Sequence, residues 1–417
     1  MSTKRCVMYK HLTNNIRVLL VPESANNIVA LSAFFPLAAA EESYEYAGLT
    51  ELMWSSLLTG TLLHNQKEFS EAVESLGTSL TFQAGRDFST ASCVCTSDAL
   101  LPSLELYFEA LNQPRFDPDE FEKERQATLA NIREALDDKS TFAMRTFAEI
   151  LFAQGTYGIP VIGTEESVQR IPLEQVKSLY NNKFSFGNTV FVAVGNFDPD
   201  VLLALIEKNT AGSNTQRSLA SEIVPHYVTG IHHSLTRSWE QSFLVMGFPA
   251  CSITSDDFFP LRVLIGVLGD GMSSRFFVQL RDERGLAYAT GCHLNAYRYG
   301  GFVAGYIGTK PENLDEARRL MEHLFRQATE EKVPTDELER VKNYLVGKYL
   351  ISHQRNSSRA GFLGSYEMLG LGWNMDEEYP DRIRAVSADE MLAVAQKYLA
   401  TAPTIVEITP ANRKMTE

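Results

Sequence analysis

Basic residues are too few in this chain to make a nucleic-acid surface. Its 38 Lys and Arg face 52 Asp and Glu, a formal net charge of -14, and a phosphate backbone is held by clustered cations. Long apolar runs are missing too. The most apolar stretch, Ile28 to Ala40, is too short to span a bilayer and is interrupted by Pro36. The first ten residues carry positive charge but no apolar core of the kind a signal peptide needs. Cysteine is scarce and odd in number: Cys6, Cys93, Cys95, Cys251 and Cys292. Cys93 and Cys95, two apart, would share one face of a strand rather than bridge. These shortages predict a cytoplasmic protein with neither a membrane nor a nucleic-acid partner. The acid excess either keeps the chain soluble or favours basic peptides.

What is present is apolar content for real cores, 44% of 417 residues, in a chain long enough for two or three domains. A segment rich in Ser, Thr, Asn and Gly, Lys208 to Glu222, lacks apolar periodicity and reads as a linker. The expected domains are therefore 1–208 and 223–417, joined by 209–222. The halves repeat one another. Asp119 to Arg125 is answered by Asp336 to Lys342 at an offset of 217. Ile171 to Val176, leading to the strand-like Thr189 to Val194, is answered by Val386 to Met391 and Thr404 to Thr409 at an offset of 215. Two matches with nearly equal offsets imply two copies of one domain.

Within the first copy, Ile16–Val21 and Ile28–Phe35 read as neighbouring strands, the former after the turn pair Asn14 and Asn15. Gly48 to Leu58, Ser70 to Leu76, Leu100 to Leu111 and Asp117 to Leu136 have helical spacing. The last opens with acids in its first turn. The second copy gives helices over Phe258–Leu268, Ser273–Asp282, Asn313–Thr329 and Thr335–Ser352. Strands and helices that come in runs predict an α+β fold, two homologous domains, each a mostly antiparallel sheet with helices packed on one face.

Five segments then carry a resemblance: Leu12 to Val18 at the first hairpin; Gly48 to Thr61; Glu124 and Arg125 with Leu129 and Ile132; Tyr157 to Gly163; and Leu280 to Tyr288. In this order, over nearly the whole chain, they resemble the pitrilysin/insulinase peptidases in their short, two-domain form. Active members carry an inverted zinc motif, H-x-x-E-H, on the helix that ends at Gly60 and Thr61 here. Residues i and i+4 share a helix face, so two imidazoles grip one metal while the intervening carboxylate polarises its water. Counting back from Gly60, the resemblance puts the first ligand at Glu51, the base at Trp54 and the second ligand at Ser55. The third falls at Asn131. One carboxylate in three ligand positions predicts no metal in this chain, and Trp54 cannot take a proton. Trp54 is expected to fill the space of the lost site.

The resemblance also implies an Arg and a Tyr seven residues apart in the second domain that hold the substrate's carbonyl oxygen. Both are retained, as Arg281 and Tyr288. Each also has a plain structural reading: Arg281 near the end of a helix capped by Gly285, Tyr288 as a packing residue on a strand. Related bacterial heterodimers pair a chain with zinc ligands and a chain that supplies Arg and Tyr, and this sequence is similar to the second kind. That implies a homologous zinc-binding partner subunit, peptide substrates, and zinc in the partner only. The alternatives are a structural subunit, a peptide-binding module that delivers a precursor, and a homodimer with metal-free activity. Two weaker features belong to the same resemblance. Leu268 to Ser274 is a glycine-rich loop, read here as a tight turn into a helix capped by Ser273, with no phosphate-loop pattern. Gly77 to Asp87 matches the strand beside which family substrates add, with Thr81 and Phe82 in place of the family's Asn-Ala.

Overall fold

The structure, a computed structural model, describes residues 7–153, 155–211 and 223–411. In the first half these form β1 (Met8–His11), β2 (Arg17–Pro22), β3 (Ile28–Phe35), α1 (Leu49–Ser56), α2 (Gln66–Ser75), β4 (Ser79–Gln83), β5 (Ser89–Thr96), α3 (Leu100–Asn112), α4 (Pro118–Asp137), α5 (Lys139–Leu151), α6 (Glu165–Arg170), α7 (Leu173–Lys183), β6 (Val190–Gly195) and α8 (Pro199–Thr210). The second half forms β7 (His232–Arg237), β8 (Ser242–Ala250), α9 (Phe258–Gly269), β9 (Ala289–Ala296), β10 (Gly301–Thr309), α10 (Leu314–Glu330), α11 (Thr335–Ser352), α12 (Asn356–Leu369), α13 (Met375–Ala385), α14 (Ala388–Tyr398) and β11 (Thr404–Pro410). Most of the expected linker, 212–222, lies outside the described residues, and Asn209 and Thr210 end α8. Cys6 lies outside them as well.

Two sheets are present among the described residues, and they share one topology. The first runs β1-β2-β6-β3-β5-β4 and the second β7-β11-β8-β10-β9. The first has one more edge strand, β1; in each, one pair is parallel, β2 with β6 and β7 with β11, and the rest are antiparallel. This is the α+β architecture expected, except that helices lie on both faces of each sheet and that β2 and β3 are not neighbours. β6, from far along the chain, lies between them. The hairpin at Asn14 and Asn15, whose φ values are 58° and 56°, joins β1 to β2 instead.

The register also refines the repeat. Val190 pairs with Phe34, and Thr404 pairs with Gly247. β6 begins at Val190 and β11 at Thr404, an offset of 214, while α7 and α14 keep 215. The link from α7 to β6 is one residue longer than that from α14 to β11. A one-residue change matters in a strand because it turns every side chain to the opposite face.

By contacts, the chain divides into two compact units that exchange segments. One contains 1–133, 159–221 and 351–377; the other contains 134–158, 222–350 and 378–417. Thus α12 belongs with the sheet of the first half and α5 with the sheet of the second. In the first unit β3 and β6 are buried along both faces, which requires cover on each side. Phe35, Trp54, Phe82, Tyr107, Phe108, Phe186 and Phe191 form an aromatic cluster on one face. On the other, Leu19, Val21, Phe34, Val190, Val192 and Val194 pack against Ala360, Leu363 and Met368 of α12. Each large apolar side chain so buried contributes roughly 1.5–3 kcal/mol. In the second unit α5 lies on β8 and β11, with Phe147 against Phe302, while Phe276 and Phe325 fill the other face.

Candidate functional site

Helix α1 opens at Gly48, whose φ of 91° suits glycine. No side chain at that position can cap it, and Glu42 does the work from six residues upstream. Its carboxylate accepts from the Gly48 N–H at 2.9 Å and the Thr50 N–H at 2.5 Å, satisfying amides that have no partner within the helix. Burial pushes the Glu42 carboxyl up to about 7 despite those hydrogen bonds, and the neighbouring Glu51 adds to the rise. Nothing in the sequence singled Glu42 out, because an acid six residues before a helix has no capping-box spacing.

The four positions where the resemblance put the zinc motif differ in surroundings. Glu51 accepts from the Ala84 N–H at 2.7 Å and so anchors the end of β4 to α1. Burial raises its carboxyl, and the charge of Glu124 adds to this, against the Ala84 hydrogen bond. Trp54 is fully buried, 4.9 Å from Phe35 centroid to centroid and edge-on to Phe82 and Phe184. Its indole N–H meets no protein acceptor among the described residues. Ser55 bonds back to the Leu52 carbonyl at 3.3 Å. Asn131 is exposed on α4, between Leu129 and Ile132, which are buried. A zinc ion needs three His, Cys or carboxylate ligands converging on one point. These residues do not fit one, and among the described residues no group of three or more His, Cys, Asp or Glu side chains is placed to hold a metal ion.

The expected substrate strand is β4, hydrogen-bonded on one side only, to β5. Phe82 on β4 is buried against Trp54 and Tyr107. The cysteines behave as their spacing requires: Cys93 and Cys95 both lie on the buried face of β5 and, with Cys251 and Cys292, are free thiols.

Arg281 and Tyr288 belong to the other unit. The expected helix Ser273–Asp282 is shorter and of another kind: residues 277–282 form a π-helical turn, with the Glu283 N–H bonded to the Val278 carbonyl at 2.9 Å. Such turns are rare and often sit at functional sites. The turn closes through Gly285, φ 61°, whose N–H reaches the Arg281 carbonyl at 3.0 Å, and through Leu286 N–H to the Leu280 carbonyl at 2.8 Å. Leu280 and Leu286 are buried and fix it from both ends. Arg281 and Tyr288 point out of it. The guanidinium is exposed and lies 4.9 Å above the Phe277 ring; the phenol is 52% exposed at the edge of β9.

Next to this turn is the glycine-rich loop, held by a residue that sequence reading passed over. The Asp270 carboxylate accepts from Arg262 at 2.8 Å, Lys348 at 2.9 Å and Tyr344 at 3.3 Å. Burial would raise this carboxyl, but the hydrogen bonds from Arg262 and Lys348 outweigh it and hold it below the usual range. The loop turns at Gly271, and Ser274 rather than Ser273 bonds back to it.

The fold and site define a class: two repeated α+β units, the first with no convergent set of metal ligands among its described residues. Residues 17–165 match the family model described as insulinase (peptidase family M16), and residues 170–345 match the one described as peptidase M16 inactive domain. The chain belongs to peptidase family M16. It is 22% identical over 388 residues to an uncharacterized zinc protease of Streptomyces coelicolor, covering 91% of this chain and 84% of that protein. It is 27% identical over 287 residues to a Helicobacter pylori protein named non-peptidase homolog YmxG, covering 68% of this chain and 66% of that protein. Among solved structures, the fold superposes on a peptidase M16 inactive domain from Pseudomonas fluorescens with a TM-score of 0.91 at 20% identity, covering 99% of this chain and 100% of that one. A protease from Helicobacter pylori gives a TM-score of 0.88 at 17% identity, with 97% and 100% covered.

Proposed function

We propose that this chain is the subunit of a heterodimeric peptidase that holds no zinc, and that it completes the active site of a homologous H-x-x-E-H subunit with Arg281 and Tyr288. The observation that carries this reading is the exposure of both side chains on a turn pinned by buried Leu280 and Leu286. Tyr288 is not packed on its sheet, so a core role does not account for it. A guanidinium and a phenol are both donors. Aimed at the oxygen of a peptide carbonyl as it gains negative charge, each donor contributes on the order of 10²–10³ in rate. The metal chemistry belongs to the partner, because Glu51, Trp54, Ser55 and Asn131 fit no ion. Free, buried cysteines accord with a reducing cytoplasm, and the acidic surface with peptides of basic character.

The test is reconstitution. The purified chain and a homologous H-x-x-E-H protein from the same organism are assayed alone and mixed on an unstructured peptide. Cleavage is expected in the mixture only. Arg281→Ala and Tyr288→Phe should each lower kcat by roughly 10²–10³, with the circular dichroism spectrum unchanged. Cleavage by the mixture that survives both substitutions would leave the structural or precursor-delivery role as the better reading.

A further inference from the structure

The helix exchange has a steric signature at one pair of corresponding positions. In the first unit, strand β3 presents Phe34 to helix α12 at Gly364. A Cβ built on Gly364 would lie 1.9 Å from the Phe34 ring, and no other residue comes within its three nearest contacts. In the second unit the sizes are reversed. Strand β8 has Gly247, where a Cβ would lie 2.3 Å from the Val303 carbonyl oxygen of the neighbouring β10 and 2.5 Å from the ring of Phe147 on helix α5. Phe34 and Gly247 take the same position of the repeated sheet, since they pair with Val190 and Thr404, the first residues of β6 and β11. Phe147 and Gly364 are the same position of the repeated helix, eight residues beyond the starts of α5 and α12.

We propose that these two aromatic–glycine pairs are a key that assigns each helix to the sheet of the other half. With α5 on its own half's sheet, Phe147 would meet Phe34, two rings in space for one. With α12 on its own half's sheet, Gly364 would meet Gly247 and leave a void the size of a phenyl ring. Overfilling and voids both destabilise a core. Exchanged, both contacts fill. Interiors packed at crystal density make such a distinction decisive, because neither misfit can be absorbed by small adjustments. The remainder of the first interface is mostly aliphatic, with Tyr9, Phe88 and Trp373 packed at its margin, and in the second Phe302 packs on Phe147. The inference does not depend on the proposed peptidase role.

The experiment is a thermal-denaturation cycle in the full-length chain. Alanine is a better helix former than glycine by about 1 kcal/mol, so the sign of Gly364→Ala reports on Phe34. With Phe34 in place, Gly364→Ala should lower Tm, by roughly 5–10 °C. Combined with Phe34→Ala it should raise Tm relative to Phe34→Ala alone. If the Phe34→Ala background does not fold, Phe34→Leu serves as the second background. The same sign in both backgrounds overturns the steric pair. A composition-neutral variant tests the assignment: Phe147→Gly with Gly364→Phe keeps every residue count but reverses the helix half of the key. Loss of the cooperative transition, or a Tm fall beyond about 10 °C, is expected, with partial recovery when Phe34→Gly is added. A helix-reversed chain as stable as the natural one, or one that Phe34→Gly does not improve, overturns the key.

Discussion

At the residue scale, the positions where the resemblance put zinc ligands hold side chains with other contacts. Glu51 keeps the one carboxylate of the motif but gives it to a backbone amide, while Trp54 turns into an aromatic core. Glu42, outside any motif, governs the same helix by capping it. Its folded-state value of about 7 is above that of an unfolded glutamate. A raised carboxyl gives stability that is full below the unfolded value and is lost as pH rises through 7. The chain should therefore lose on the order of 2 kcal/mol between pH 5 and pH 8 from this group. Glu42→Gln, which mimics the protonated form, should flatten that part of the profile, as read by urea denaturation at the two pH values. A slope identical in the two proteins would show that another group is responsible.

At the scale of elements, short contacts between neighbours decide how exposed edges behave. β4 is an edge strand with one row of free backbone groups, a liability unless it is held in place. Glu51 holds its end through Ala84, and Phe82 holds its middle against Trp54. Glu51→Ala should cost roughly 1–2 kcal/mol and raise amide exchange at Ala84 and Gln83 more than in β5. Uniform exchange across both strands would instead mean a global effect. Asp270 does the same for the glycine-rich loop, bound at once by α9 through Arg262 and by α11 through Lys348.

At the scale of the whole molecule, each half of the sequence supplies a helix that the other half's sheet needs. Without α12, the face lined by Leu19, Val21, Phe34, Val190, Val192 and Val194 would be open to water. The segments 1–211 and 223–417 expressed separately should therefore fail to give cooperative unfolding, whereas co-expressed they should associate into a complex that melts cooperatively. A single segment that folds alone with native-like stability would show that the exchanged helix is dispensable.

The repeat, the α+β class and the long helices α4 and α11 were all legible in the sequence. They rest on local signals: acids in the first turn of a helix, apolar periodicity, and residue types at fixed spacing. Arg281 and Tyr288 are singled out by the same kind of spacing. The tertiary structure decided what depends on distant partners. β6 enters between β2 and β3, which no local pattern announces. Helices α5 and α12 escaped notice because α5 follows α4 after a single residue and α12 carries Gly361 and Gly364, poor helix formers. Gly364 makes sense only beside Phe34, 330 residues away. A sequence reports what a segment prefers; whether a glycine is a weakness or a socket depends on the side chain that arrives to fill it.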